Sequence, residues 1–159
     1  RDERETDSLG RVNDEYFGPV PPDHLYVRND TVFFRGNGLR RGKIGVGPKC
    51  SKGLAGSYDA VGKVLTLVIY DVKDAPFGYI NSMWELQDEP YVGDVINAYN
   101  DGPPDKGEAP LGPFYELETS SPAAALKPNE TMQHVQQTWH LKGAEKQLEL
   151  LAHQLLGDH

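Results

Sequence analysis

The longest β-prone run in this chain is Val64-Leu65-Thr66-Leu67-Val68-Ile69-Tyr70. It is rich in β-branched residues, whose side chains fit a pleated sheet better than a helix. The turn residues Val61-Gly62-Lys63 lead into it, so the strand has a defined start. A long run of this composition predicts a buried strand in the centre of a sheet.

Shorter β-prone runs lie on both sides of this strand. Leu25-Tyr26-Val27 and Thr31-Val32-Phe33-Phe34 flank Asn29-Asp30, which predicts a hairpin with a two-residue turn. The 17 Gly and 12 Pro make the chain rich in turns, and short strands between turns indicate an all-β fold, an antiparallel β-sandwich or jelly roll. Further strands are predicted at 43–46, 79–86, 95–99, 113–119 and 132–141, with a loop at 101–110.

One helix is predicted after the last strand. An apolar face at helical spacing places it over residues 144–156. The face consists of Leu148, Leu151, Ala152 and Leu155. Residues 1–23 are charged and then rich in proline, a composition typical of an extended arm. A chain of 159 residues has the size of one domain, so we expect a single β-sandwich over residues 24–159 that ends in this helix.

Composition excludes several classes of partner. Lys and Arg total 16 against 24 Asp and Glu, and the net charge of −8 argues against a nucleic-acid partner. No apolar stretch approaches the roughly 18 residues that cross a bilayer, so we expect no membrane partner. Cys50 is the single cysteine, which excludes an internal disulfide and a cysteine-cluster metal site. No signal peptide is visible, and the compartment stays open, with a secreted or periplasmic location compatible with the sequence.

Strand parity places two carboxylates side by side. Successive side chains of a strand point to opposite faces, so Glu116 and Glu118 share one face of the strand at 113–119. In the strand at 132–141 the same parity predicts that Trp139 joins the core. The opposite face of that strand groups His134, Gln136 and His140. If the two strands pair or share a sheet, all these polar groups converge on one concave surface.

This polar surface has three interpretations. A carboxylate and an imidazole can act as base and acid when their surroundings push their pKa values apart, and Glu118 and His134 are the candidate pair. Two imidazoles and an amide or carboxylate oxygen can hold a single copper, iron or zinc ion, with His134, Gln136 and His140 as candidate ligands. The third interpretation is an ordinary solvated sheet face.

Side chains suited to sugar hydroxyls lie elsewhere in the chain. Asn97 and Asp101 alternate onto one side, where an amide and a carboxylate can donate to and accept from hydroxyl groups. Trp84 offers an aromatic face for the C–H surface of a sugar ring. Arg40-Arg41, next to Lys43, forms a small basic cluster that suits either a carboxylated sugar or a solvated turn.

Three stretches near the end of the chain carry a family resemblance: Phe114-Tyr115-Glu116-Leu117-Glu118-Thr119-Ser120-Ser121-Pro122, Leu126-Lys127-Pro128-Asn129-Glu130-Thr131 and Thr138-Trp139-His140-Leu141. They resemble the C-terminal strands of galactose-mutarotase-like proteins, the aldose epimerases. The chain looks closer still to a family of uncharacterised bacterial proteins related to that superfamily, which carries stretches similar to residues 81–85, 91–103 and 111–122.

The resemblance implies a mutarotase-like β-sandwich with a carbohydrate site on a concave sheet, in which Glu118 matches the position of the general base. Such proteins are normally much longer, so the chain resembles their C-terminal half and lacks the segment that supplies their catalytic histidine. Asn129 and Gln136 also depart from the family pattern. Half a sandwich would expose an apolar sheet face, so we expect a homodimer in which His134 or His140 takes the part of the absent acid.

Three functions follow from these features. The first is a carbohydrate-active domain that binds a sugar or polysaccharide and transfers protons through Glu118 and His134. The second is a jelly-roll oxidoreductase that uses a single copper, iron or zinc ion on a polysaccharide. The third is a non-catalytic sugar-binding module. In the first, the substrate-holding residues are Trp84, Asn97, Asp101, Glu116 and Gln136.

Overall fold

The computed structural model describes residues 12–157. All its named strands pair in antiparallel sheets, which confirms the predicted all-β sandwich with one closing helix. No helix in this part of the chain has the length and apolar character to cross a bilayer. The elements are β1 (Leu25–Arg28), β2 (Thr31–Phe34), β3 (Gly42–Val46), β4 (Leu54–Asp59), β5 (Val64–Tyr70), β6 (Ile96–Asn100), β7 (Tyr115–Thr119), β8 (Gln136–Lys142) and α1 (Glu145–Leu156).

Two three-stranded sheets pack face to face. One has the order β3-β6-β7 and the other β4-β5-β8, while β1 and β2 form a separate hairpin. Between the sheets, Val68 of β5 and Ile96 of β6 belong to one buried apolar cluster, against which Leu117 of β7 packs. The hydroxyl oxygens of Ser57 and Tyr115, 2.7 Å apart, connect β4 to β7 across this interface. The core therefore lies between the sheets and leaves the outer face of each sheet for other contacts.

The run at 64–70 forms β5, the middle strand of its sheet. Leu65 and Val68 are almost completely buried, so the predicted central strand is confirmed. Its neighbour β4 was not predicted. The β4 sequence is Leu54-Ala55-Gly56-Ser57-Tyr58-Asp59, which is too rich in small and polar residues to stand out as a β-prone run.

The predicted helix is α1, and it covers the outer face of β4 and β5. Leu148 is buried with Leu65 and Leu67, and Ala152 packs against the same cluster. Leu151 and Leu155, also expected on the apolar face, remain partly exposed. Their exposure differs from the prediction because the side of α1 that contacts the sheet consists of residues 148, 152 and 156.

The predicted hairpin is formed by β1 and β2. Asn29 and Asp30 have φ angles of 46° and 59°, the left-handed conformation that a tight two-residue hairpin turn requires. Tyr26 and Phe33 face each other across the pair and stack with their ring centroids 4.8 Å apart. The turn residues and the cross-strand pair therefore specify the same register.

Two predictions for individual segments are wrong. Residues 79–86 form no strand, because Tyr79 makes only an isolated bridge to Val92 and the chain then continues irregularly. Trp139, expected in the core, is 54% exposed. It lies on β8, an edge strand of its sheet, beside the part of the outer face that α1 covers.

The segment before β1 is also more structured than a free extended arm. Asn13 exchanges two backbone hydrogen bonds with Gly45 of β3, at 2.8 and 2.7 Å. The backbone N–H of Val20 donates to Asp14 at 2.9 Å, which folds the proline-containing stretch back on itself. The folded domain thus includes residues 12–23, whereas residues 1–11 of the predicted arm lie outside the described part of the chain.

Candidate functional site

The outer face of the sheet β3-β6-β7 carries a compact set of polar and aromatic side chains. The strand registers align Gly45 with Asn97 and Glu118 in one row. The next row aligns Lys43, Tyr99 and Glu116. A third row follows where the strands end, since the backbone N–H of Asp101 donates to the carbonyl of Phe114 at 3.0 Å. Because side chains two residues apart share a face, all these groups lie on the same side of the sheet.

A pocket of about 200 Å³ lies over these rows. The N-terminal segment, the irregular segment after Tyr79 and the loop before β7 supply its remaining walls. Trp84 is 90% exposed, so its indole ring is available to a ligand. The lining residues are Tyr16, Phe17, Arg41, Lys43, Ser82, Met83, Trp84, Tyr99, Leu111, Phe114, Glu116 and Glu118.

Two carboxylates and one ammonium group form a charged cluster at one end of the pocket. Lys43 Nζ is 2.7 Å from Glu118 Oε2, a distance that makes this contact both an ion pair and a hydrogen bond. Glu116 lies two residues from Glu118 on the same face. Partial burial, together with a hydrogen bond to Glu118 and the Glu118 charge, raises the pKa of Glu116. A proton is thus held more readily on Glu116 than on an ordinary glutamate.

A buried polar network supports the pocket on the β3 side. The Tyr16 hydroxyl donates to Asp94 Oδ2 at 2.6 Å and accepts from Asn97 Nδ2 at 2.9 Å. Asn13 Nδ2 also donates to Asp94, at 3.2 Å. Burial raises the pKa of Asp94, and the hydrogen bonds from Tyr16 and Asn13 and the charge of Lys43 only partly offset this rise. Burial and the contact with Asp94 raise the pKa of Tyr16 to about 12, so its hydroxyl keeps its proton at physiological pH.

A second network fixes the other end. The Tyr99 hydroxyl donates to Asp101 Oδ1 at 2.7 Å, and the backbone N–H of Gly112 donates to Asp101 Oδ2 at 2.8 Å. Burial acts to raise the pKa of Asp101, but the hydrogen bonds from Gly112 and Tyr99 outweigh it, and the pKa lies below its ordinary value. Asp101 is therefore an ionised anchor for the loop that ends at β7.

Comparison with known protein families finds one match. The model of the Family of unknown function (DUF6786) matches residues 2–158. The chain belongs to the DUF6786 family. No curated protein and no solved structure matches it significantly. The description of this family names no activity. The resemblance to galactose-mutarotase-like proteins stays a prediction.

Five of the residues predicted to act on or bind a sugar lie together at this site, although two of them are not free to bind one. Glu116 and Glu118 line the pocket beside Trp84. Asn97 is only 3% exposed, and its amide donates to Tyr16 and to the carbonyl of Ile44. Asp101 is only 1% exposed. We therefore assign Asn97 and Asp101 to the support of the pocket, where they hold the side chains that a ligand would touch.

The predicted imidazoles lie on a different surface. β7 and β8 neither pair nor share a sheet, so the expected single polar surface is not formed. The Thr119 hydroxyl lies 3.0 Å from His134 Nε2 and donates to Gln136 Oε1 at 2.5 Å. Thr119 and Glu118 are adjacent on β7 and point to opposite faces. His134 and Gln136 therefore lie on the inner side of the sheet that carries Glu118 on its outer side.

The proposed metal ligands do not form a coordination sphere. His140 lies 2.9 Å from the hydroxyl of Thr66 through Nδ1. It is four residues along β8 from Gln136, which corresponds to about 13 Å in an extended strand. Within residues 12–157, no group of three or more His, Cys, Asp or Glu side chains is arranged to hold a metal ion. His134, Gln136 and His140 thus give no support to the metal interpretation.

Several lining residues were not identified from the sequence. Tyr16 and Phe17 lie in a stretch whose charge and proline content indicated an arm, and no local pattern connects them to β3. Arg41 and Lys43 were identified as part of a basic cluster suited to a carboxylated sugar or a solvated turn, but not as neighbours of the two glutamates. The alternation Arg41, Lys43, Gly45 through β3 was the available signal, because it places both cations on one face of the strand.

Proposed function

We propose that this pocket binds a carbohydrate. The observation that supports the proposal is the exposed ring of Trp84 in the same small pocket as Lys43, Glu116 and Glu118. An aromatic face suits the C–H surface of a pyranose, and charged donors and acceptors suit its hydroxyl groups. A volume near 200 Å³ is below the roughly 300–1,000 Å³ of pockets for drug-sized ligands, so the pocket takes about one sugar ring.

In this proposal the two groups that transfer protons are Glu116 and Glu118. This pair replaces the pair predicted from the sequence, Glu118 and His134. Their environments differ: Glu118 is paired with Lys43, while burial and the neighbouring carboxylate favour the protonated form of Glu116. Such a difference separates an acid from a base. For an epimerase-like step, Glu118 takes the proton of the anomeric hydroxyl while Glu116 gives a proton to the ring oxygen. The ring C–O bond breaks, and re-closure on the other face of the aldehyde reverses both transfers.

Fluorescence tests binding directly, because the chain has 2 tryptophans. Trp139→Phe leaves Trp84 as the only indole reporter. We expect neutral or acidic monosaccharides or their oligomers to change Trp84 emission in this variant. Calorimetry on Trp84→Ala should show weakened binding, with the Trp139→Phe protein as the matched control. Equal affinity of the two variants, or no response to any sugar in the panel, would contradict the proposal.

Polarimetry then separates an enzyme from a binding module. An epimerase-like protein accelerates the interconversion of sugar anomers, and Glu118→Gln should lower that rate by roughly a hundredfold or more. Binding that survives in Glu118→Gln, with no acceleration by either protein, would assign the pocket to a non-catalytic sugar-binding module. The alternative of a metal-dependent oxidoreductase has no comparable support, since the proposed ligand His140 is four residues along β8 from Gln136 and away from the contact of His134 and Gln136 with Thr119.

We also propose that a second copy of the chain pairs with β8. On the side away from β5, no described strand pairs with β8. An unpaired edge of this length is a template for another strand, and antiparallel pairing of two β8 strands is self-complementary. Trp139 of β8 and Ile69 of β5 expose apolar surface on the outer face of this sheet, which a second copy would cover.

A further inference from the structure

Arg41 occupies the end of the pocket opposite the Glu118 row. It directly precedes β3 and shares a face with Lys43. Its guanidinium lies 4.3 Å from the centroid of the Phe17 ring, which holds the cation against the pocket wall. Because two residues of a strand span about 7 Å, Arg41 lies about that far along the sheet from Lys43. The pocket therefore has one cation beside Glu116 and Glu118 and one at a distance from them, in the row of the buried Asp101.

The two cations differ in their partners. Lys43 is neutralised by Glu118 at 2.7 Å. Arg41 forms no ion pair with any of residues 12–157; its guanidinium interacts with the Tyr99 hydroxyl, while its buried Nε has no hydrogen-bond partner there. The charge of Arg41 is thus left without a carboxylate in contact, and an anion that enters the pocket would supply one. The planar guanidinium presents donors in a fork that matches the two oxygens of a carboxylate.

We propose that the pocket takes a uronic acid, with the sugar carboxylate on Arg41 and the ring hydroxyls toward Glu116 and Glu118. This inference rests on the proposed carbohydrate function and names its substrate class. The opposite orientation would place the ligand carboxylate beside two glutamates, where like charges repel. In the chosen orientation the ring spans the distance between Arg41 and the glutamates and lies beside Trp84.

Calorimetric titration tests the substrate class with four probes. Sodium D-galacturonate and sodium D-glucuronate are compared with D-galactose and D-glucose on the full chain. At least one uronate should bind roughly tenfold or more tightly than its neutral counterpart, as expected for a charge-assisted hydrogen bond. Arg41→Gln should remove this preference, and Arg41→Lys should restore only part of it because the fork is lost.

Arg40→Gln is the matched control. It makes the same change in charge at the neighbouring residue, whose side chain is exposed and does not line the pocket. Thermal unfolding of each variant checks that the fold is retained. A neutral sugar that binds as tightly as its uronate, or a uronate preference that Arg40→Gln and Arg41→Gln reduce equally, overturns the uronic-acid inference and leaves the carbohydrate proposal standing. Failure of all four sugars and of their oligomers to bind overturns both.

Discussion

At Gly45 the absence of a side chain allows β3 to approach the buried polar network. A Cβ placed there would lie 2.0 Å from Asp94 Oδ2 and 2.7 Å from Asn97 Nδ2. These distances are far below van der Waals contact, so the carboxylate and the amide occupy the space that a side chain would fill. The contacts among Tyr16, Asp94 and Asn97 therefore require glycine at position 45.

Gly45→Ala should lower the free energy of unfolding by about 1–3 kcal/mol, because overpacking forces the Asp94 carboxylate away from its partners. Urea denaturation measures the effect. Gly47→Ala is the control, since its Cβ would meet nothing closer than Asp94 Oδ1 at 3.8 Å. Equal stability of the two variants would show that the network can move without loss.

Tyr16→Phe tests the same network through its pH dependence. Burial raises the folded-state pKa of Asp94 above its ordinary value of 3.8, so this group lowers stability progressively as the pH rises from near 3.8 through the raised pKa. The Tyr16 hydroxyl opposes that rise, and its loss should cost about 1–3 kcal/mol at neutral pH.

The cost of Tyr16→Phe should be smaller at acidic pH, where Asp94 is protonated and needs less stabilisation. Denaturation of both proteins over a series of pH values measures the difference. Tyr91→Phe, at an exposed position, is the control and should show no such trend. A Tyr16→Phe cost that stays constant from acidic to neutral pH would contradict this account of Asp94.

At the scale of elements, α1 is held to the sheet by one side of its apolar surface. Leu148 is buried against Leu65 and Leu67, and Ala152 extends the contact. No side-chain hydrogen bond caps the N-terminus of α1, and Gly157 ends it in the left-handed conformation at φ 87°. The position of the helix therefore depends on packing against β4 and β5 more than on its N-terminal cap.

Leu148→Ala should lower the free energy of unfolding by about 2–5 kcal/mol, the range for truncating a buried leucine. Leu150→Ala removes the same atoms from an exposed position of the same helix and should change stability by less than about 0.5 kcal/mol. Chemical denaturation followed by circular dichroism compares the two. Similar losses would mean that α1 does not pack as described.

For the whole molecule, the two sheets are linked by an apolar core at one side and by polar contacts at the other. Ser57 of β4 contacts Tyr115, and Thr119 contacts both His134 and Gln136, so hydroxyl, imidazole and amide groups lie along β7, an edge strand of its sheet. The edge of β8 that no described strand pairs with is the feature that bears on self-association.

The proposed homodimer predicts a mass of two chains by light scattering at micromolar concentration. Trp139→Glu places a charge on the β8 face that a second copy would cover, so it should shift the mass to that of one chain. Leu86→Glu adds the same charge at a fully exposed position away from β8 and should leave the mass unchanged. A mass of one chain for the unsubstituted protein would refute the dimer.

Local patterns were sufficient for most of the elements. β-branched residues in 64–70, the Asn29-Asp30 turn and the apolar spacing after residue 144 each specify a conformation within a few neighbouring residues. Strand parity likewise placed Glu116 and Glu118 on one face, because that alternation is a property of the strand itself. β4 was not predicted, because its small and polar residues have little β propensity of their own and form a strand by pairing with β5.

The sequence by itself therefore determined the all-β class, most strands, the closing helix and the paired carboxylates. Only the tertiary structure decided which strands share a sheet, and so separated Glu118 from His134 and brought Lys43, Arg41, Tyr16 and Trp84 to the glutamates. The reason is physical: conformation within an element depends on near neighbours, whereas the pairing of β3 with β6 joins residues 50 to 58 positions apart. Such pairings depend on burial and hydrogen bonding over the whole chain, which no local pattern records.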